Sequence, residues 1–219
     1  MESPVLDRSA SPPVRPTHTA HRGLPVPAAV SITLLGAFLV GILTSVGQGG
    51  PDFLSSLSNS AGSWFLATVL LLLVVRPRMR WALPLGVVVL ELMHVGYTVA
   101  SNLRGHPDFL AITNFWVLMA VPAGLLAGAV ANWVLRGGPR LRAFASGLAG
   151  AVLVGEGISA LLRVAATTSV AFWIAEIVVG VLVVVTGVVA GRTPAGRVVG
   201  LGTGVVGAAA VFTAYMVVG

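Results

Sequence analysis

Seven apolar stretches follow one another along this chain, roughly at 25–48, 62–76, 81–101, 110–135, 142–163, 169–191 and 197–218, separated by short breaks rich in Arg, Pro and Gly. A helix rises about 1.5 Å per residue and needs about 20 mostly apolar residues to cross a hydrocarbon core of about 30 Å. Only 9% of the 219 residues are charged, against about a quarter in a typical soluble domain. The chain has too few charges to coat a water-soluble globule. The fold class expected is all-α, a polytopic transmembrane bundle of about seven spans. The second stretch has a short apolar core, and Ser58 to Ser63 are needed to complete it.

Met1 to Leu24 carries Pro4, Pro12, Pro13 and Pro16 with Arg8, Arg15 and Arg22 and has too little apolar content to build a core. Residues 1–24 are therefore expected to form a disordered cytoplasmic tail, and 25–219 a single transmembrane domain. The first stretch continues to Val46 and ends in Gly47-Gln48-Gly49-Gly50, without the short apolar region and small-residue exit of a cleaved signal. It reads as an uncleaved first span.

All thirteen basic residues are Arg, and with seven acidic residues they give a net charge of +6. Binding to nucleic acid would need a clustered basic face on a soluble fold, so no nucleic-acid partner is expected. Basic short loops stay on the cytoplasmic side of a membrane. With the N-terminus inside, eleven of the Arg fall there: Arg8, Arg15 and Arg22, then Arg76, Arg78 and Arg80, then Arg136, Arg140 and Arg142, then Arg192 and Arg197. Only Arg104 and Arg163 fall on the other face, so the reading is N-in, C-out. Divided this way, the cytoplasmic side carries +9, and the exterior and membrane interior together carry −3.

Gly124/Gly128, Gly187/Gly191 and Gly200/Gly204 have the small-xxx-small spacing that lets helix backbones approach closely in lipid. Pro122 is expected to kink the fourth span.

An ionisable group at membrane depth is costly and therefore a functional candidate. Glu91 and His94 lie in the third span, Glu156 in the fifth and Glu176 in the sixth. At 100° per residue, Glu91, His94, Thr98 and Asn102 fall within one arc, a polar stripe about 16 Å long. Glu156 sits between Gly155 and Gly157, with Arg163 two turns on and able to reach partway back. Glu176 shares a face with Trp173, which suits a cation or a ring, although Trp173 also suits an interfacial anchor. By the topology above, these groups lie in the middle or outer half. Gln48, Asn59, Trp64 and Asn114 fall at the same level and complete the candidate binding set. The inner half shows almost nothing polar beyond Thr186 and Thr203.

Several chemistries are missing. Gly157-Ile158-Ser159-Ala160 lacks the Gly-x-Ser-Gly of a rhomboid-type protease, and all four His precede it. No H-E-x-x-H, P-loop or dinucleotide fingerprint occurs. With no Cys, thiolate and iron–sulfur chemistry are excluded. One His among carboxylates is a weak metal signature, and Glu91-x-x-His94 occurs once where a di-iron bundle needs it twice. No catalytic residue, metal site or cofactor is expected.

Leu43-Thr44-Ser45-Val46-Gly47-Gln48, Leu57-Ser58-Asn59-Ser60-Ala61-Gly62-Ser63-Trp64, Gly96-Tyr97, Leu103-Arg104-Gly105, Phe115-Trp116 and Gly155-Glu156-Gly157 together resemble a family of actinobacterial integral-membrane proteins of unknown function. The resemblance runs from about Gly36 to Glu176. It implies a bacterial cytoplasmic membrane and no particular reaction. The absence of Lys beside abundant Ala, Gly, Val and Arg fits a GC-rich coding bias.

The leading expectation is a protein that binds or helps to transport a small polar or cationic molecule in the outer half of the bilayer. The one-sided polarity suggests a capturing subunit with a membrane or ATPase partner. The alternatives are an enzyme acting on a lipid or lipid-linked substrate, with Glu91 or Glu156 as base and His94 as its partner, and a structural scaffold. The orientation can be tested directly because the chain is naturally free of Cys. Single-cysteine variants Arg78→Cys and His106→Cys should react with an impermeant maleimide from opposite sides of sealed membranes. Labelling of both from one side would overturn the arginine argument.

Overall fold

The structure, a computed structural model, describes residues 25–218, so the expected disordered tail lies outside the described residues. Eight helices follow in order: α1 (Val26–Gln48), α2 (Asp52–Asn59), α3 (Ala61–Val75), α4 (Met79–Leu103), α5 (Phe115–Arg136), α6 (Pro139–Arg163), α7 (Val170–Ala190) and α8 (Pro194–Val218). Among the described residues there is no strand. Six helices, all but α2 and α3, are long and apolar enough to cross a membrane, and a seventh crossing exists if α2 and α3 count as one broken span.

The expected boundaries shift where a local interaction outweighs hydropathy. Leu110 and Ile112 are apolar but stay outside α5, because the Asn114 side chain accepts from the Trp116 N–H at 2.9 Å and so caps the helix there. α6 starts at Pro139, a residue pre-set for the first helical turn, and takes Arg140 and Arg142 into the helix. α5 runs unbroken through Pro122. Ser58 to Ser63 extend the second stretch only across a break, with Ala61 to Ser63 opening α3. Ser60 is extended (φ −83°, ψ 122°) and splits the segment into α2 and α3, which meet at a 68° bend. The 15 residues of α3 reach only about 22 Å at 1.5 Å per residue, too short to cross alone.

The helices form two groups. α4 packs on α1 and α5, and α6 packs on α7 and α8. Lipid supplies no hydrophobic drive between helices, so the interfaces are built from small residues that bring backbones together. Where α4 crosses α5, a Cβ on Gly128 would stand 2.1 Å from the Ala82 carbonyl oxygen, and one on Gly124 2.5 Å from Val87 Cα. The spacing of Gly124/Gly128 thus marks a real crossing. Gly187 abuts Ser146 of α6, and Gly204 abuts Val184 of α7. Gly191 instead meets Gly196 within the α7–α8 turn.

The loop arginines divide by end. Arg76, Arg78, Arg140 and Arg192 fall in or beside the loops at one end of the antiparallel bundle, and Arg104 and Arg163 at the other. The arginine-rich end is more polar inside than expected from Thr186 and Thr203. Thr33 is fully buried and donates to the Leu71 carbonyl at 3.1 Å, and buried Asn132 donates to the Pro77 carbonyl at 2.9 Å. Both donate to backbone acceptors.

Gly128→Val would force a branched side chain into the Ala82 backbone. Overpacking of this kind costs about 1–3 kcal/mol or more, so a clearly lowered midpoint of thermal unfolding in detergent is expected. Gly202, where an added Cβ meets nothing within 4 Å, should accept Ala without loss. Equal tolerance at both positions would contradict the close α4–α5 crossing.

Candidate functional site

At the end of the bundle away from the arginine loops, polar groups collect in two compartments that share one wall. That wall is the break between α2 and α3. The first N–H groups of a helix have no partner within it and carry the positive end of its dipole. Here the Ala61 N–H donates to Glu156 Oε1 at 2.9 Å and the Gly62 N–H donates to Glu156 Oε2. The Ser60 hydroxyl caps α3 by accepting from the Ser63 N–H at 2.9 Å. It also lies 2.7 Å from Glu176 Oε1 and 3.4 Å from Glu156 Oε2.

Both glutamates are 5% exposed and Ser60 is fully buried. Tyr215 of α8 stands beside the pair. Glu176 Oε2 is buried with no hydrogen-bond partner among the described residues. Small residues make this cluster possible. A Cβ on Gly62 would lie 2.6 Å from an oxygen of each glutamate. A Cβ on Gly155 would strike Val211 of α8, and one on Gly157 would strike Ile177 of α7. The glycines flanking Glu156 therefore let α6 lodge between α7 and α8.

On the other side of the break lies a cavity of about 270 Å³. Ser60 and Ala61 form part of its wall, with Asn59, Trp64 and Phe65. α4 contributes Leu90, His94 and Tyr97, residues that share one helical face, and α5 contributes Trp116, Met119, Ala120 and Ala123. The rings of Trp64, His94 and Tyr97 pack in mutual contact, each pair with centroids 6.3–6.4 Å apart. Across them runs a hydrogen-bond chain in which Tyr97 Oη donates to Gln48 Oε1 at 2.9 Å and Gln48 Nε2 donates to Asn59 Oδ1 at 2.8 Å.

The cavity's carboxylate is Asp108, from the α4–α5 loop. The Thr98 hydroxyl donates to Asp108 Oδ2, and His94 Nε2 lies 3.9 Å from the same oxygen. Asn102 fixes the loop from both sides: its Nδ2 donates to the Asp108 carbonyl at 2.9 Å and its Oδ1 accepts the Asp108 N–H at 3.2 Å.

The expected candidates thus fall into different places. Gln48, Asn59, Trp64 and His94 line the cavity, while Thr98 and Asn102 hold Asp108 in its wall. Glu156 and Glu176 form the buried pair behind the wall. Glu91 is half-buried, outside the cavity lining and, among the described residues, without a hydrogen bond. The Glu91–His94 stripe is therefore divided, and His94 faces Asp108 instead of either glutamate. Asn114 caps α5. Trp173 is in the core, 4% exposed, donating from Nε1 to Thr168 Oγ1 at 2.8 Å and packing on Phe172. Arg163 turns away from Glu156 and donates to the Tyr215 carbonyl. Among the described residues no group of three or more His, Asp or Glu is gathered as a metal site.

Sequence reasoning missed Asp108 and the part played by Gly62. The signal for Asp108 was the pair Thr98 and Asn102 at the end of α4, ten and six residues before it. The signal for the break was Asn59-Ser60-Ala61-Gly62-Ser63, where a capping Ser is followed by a residue without a side chain.

Residues 20–219 match the profile of a family described as "Family of unknown function (DUF6518)". No curated protein and no solved structure matches the chain. The family match extends beyond the segment Gly36 to Glu176 that carries the resemblance in the sequence.

Gly62→Ala would drive a methyl group against both carboxylates and Leu153 Cδ2, which lies 3.0 Å from the added atom. A loss of about 1–3 kcal/mol is expected, read as a lower unfolding temperature. An unchanged temperature would mean that the break does not press on the glutamates.

Proposed function

We propose, for a chain that belongs to the DUF6518 family of unknown function, that the cavity beside the α2–α3 break binds a small cationic molecule. The observation that carries this is an aromatic-walled cavity of about 270 Å³ with the carboxylate of Asp108 in its lining. Trp64, Tyr97 and Trp116 offer electron-rich rings, which attract an ammonium group at distances up to about 6 Å. Asp108 provides the opposite charge, and the Gln48–Asn59 amides provide hydrogen bonds. A few convergent polar groups in a mostly apolar pocket are what a small-ligand site requires.

We read the protein as a capturing subunit in a bacterial cytoplasmic membrane, with the cavity toward the exterior and a membrane or ATPase partner to complete transport. Support for a partner comes from the other half of the bundle, where Thr33 and Asn132 are spent on backbone carbonyls and supply no polar path. The Lys-free, Ala- and Arg-rich composition supports an actinobacterial source. The enzyme reading has less support, because neither Glu91 nor Glu156 is hydrogen-bonded to His94.

Trp64 and Trp116 provide the test. Tetramethylammonium and small alkylammonium ions, titrated into purified protein, should shift indole emission saturably. Asp108→Asn should weaken binding at least about tenfold, or about 1.4 kcal/mol, and Trp64→Ala should reduce both affinity and signal. If neutral compounds of the same size bind equally well, and Asp108→Asn changes nothing, the cationic reading fails.

A further inference from the structure

Behind the cavity wall, the donors and acceptors around Glu156 and Glu176 do not balance as two free carboxylates. The Ala61 and Gly62 N–H groups are both spent on Glu156, and the Tyr215 hydroxyl also faces Glu156. The donor left for Glu176 is the single hydroxyl proton of Ser60, which lies within reach of both glutamates. That proton can point to only one glutamate. Two buried anions would then share one hydroxyl, and Glu176 Oε2 would keep its share of charge with no partner. The cost of an unpaired buried charge is high. Nothing nearby offsets it, since the described residues hold no cation within ion-pair distance of either glutamate.

One added proton closes the count. Placed on Glu176 Oε1, it is donated to Ser60 Oγ across the 2.7 Å contact. Ser60 then turns its own proton to Glu156 Oε2, 3.4 Å away, while continuing to accept from the Ser63 N–H. Every hydrogen in the chain has an acceptor. The one remaining charge sits on Glu156, where two helix N–H groups and the dipole of α3 favour an anion. Glu176 Oε2 becomes the carbonyl oxygen of a neutral acid, and leaving it unpaired costs far less than leaving an anion unpaired.

We propose that Glu176, Ser60 and Glu156 form a one-proton site, with the proton held between Glu176 and Ser60 and the charge on Glu156. Release moves that proton to water in the cavity, which Ser60 lines, and leaves two carboxylates with a single hydroxyl proton between them. Their repulsion then acts on the residue where α2 meets α3. The proton site stands without the cavity reading, but its consequence, a cavity wall that responds to protonation, rests on it. The other titratable or charged groups of the packed elements are Tyr215 of α8, whose hydroxyl faces Glu156, Asp52 of α2, Arg163 of α6 and, at the opposite end of the bundle, Arg140 and Arg142 of α6 and Arg197 of α8. Arg163 is occupied by the Tyr215 carbonyl, and Asp52 is exposed at the far end of α2. His94 and Asp108 lie on the cavity side.

Infrared difference spectroscopy on the full chain in lipid nanodiscs tests this without any ligand. At neutral pH the wild type should show a protonated carboxylic-acid carbonyl band that shifts in heavy water, vanishes in Glu176→Gln and persists in Glu91→Gln. Absence of that band in the wild type overturns the proposal, as does a band lost in Glu91→Gln and retained in Glu176→Gln. Thermal unfolding supplies a second reading. Glu176→Gln can donate to Ser60 from the same position and should melt close to wild type, whereas Glu156→Gln removes the anion from the start of α3 and should melt clearly lower. The reverse ranking would overturn the assignment, and if a variant does not fold, the wild-type band decides. A chain that shows the band but ignores tetramethylammonium refutes the cavity reading alone, and the opposite result refutes the proton site alone.

Discussion

Two amide groups at the start of α3, donating to one buried carboxylate, join parts of the molecule that otherwise meet mainly along α5 and α6. A helix start inside a membrane protein cannot leave its N–H groups unsatisfied, because no water is there to take them. Glu156 accepts two of these groups, and Ser60 caps a third. The bond works in both directions, since the same groups also supply the positive potential that lets a carboxylate stay buried. Removing either partner would expose the other, so the break and the glutamate are one structural unit.

That unit also explains why there is a cavity. A straight second span would have carried its side chains up to the end of the bundle and filled the space between α1, α4 and α5. Instead the chain bends by 68° at Ser60, and α2 leaves the bundle axis to contact α1 and α7. The space vacated is bounded by Trp64 and Phe65 below the break, His94 and Tyr97 of α4, and Trp116 of α5. Ser56 fastens α2 from the far side, accepting the Ser169 N–H at 2.9 Å. Helices elsewhere approach closely through small residues, so at this end of the bundle the void follows from the break.

The long apolar helices were legible in the sequence because their signal is one-dimensional: length and hydropathy decide whether a helix can cross. The site was only half legible. His94, Gln48, Asn59 and Trp64 could be found as polar or aromatic residues at one depth, and Glu156 and Glu176 as buried charges. What periodicity could not give was the partner of each. Glu91 and His94 share an arc of about 60° on α4, yet only the side of that arc bearing Leu90, His94 and Tyr97 meets the cavity. Asp108 escaped notice because it lies outside every span and reaches the cavity only through the turn held by Asn102. Glu156 and Glu176 come together because Gly62 has no side chain to keep them apart, and no spacing rule links residues on three helices.

The two compartments follow different electrostatic rules, although Ser60 borders both. On the cavity side, the carboxylate of Asp108 is half-buried and held by a hydroxyl and a nearby imidazole. Its remaining lone pairs can be met by water or by an entering cation at little cost. On the other side, the glutamates are sealed, and nothing larger than a proton has a way to balance them without moving a helix. Such a movement has one place to start. Ser60 is the only residue between α2 and α3, its own N–H reaches the Leu57 carbonyl only at 3.5 Å, and its hydroxyl serves both glutamates. A change in charge behind the wall is therefore felt first at the residue that lines the cavity, and the weakest backbone bond of the segment is the one that would yield.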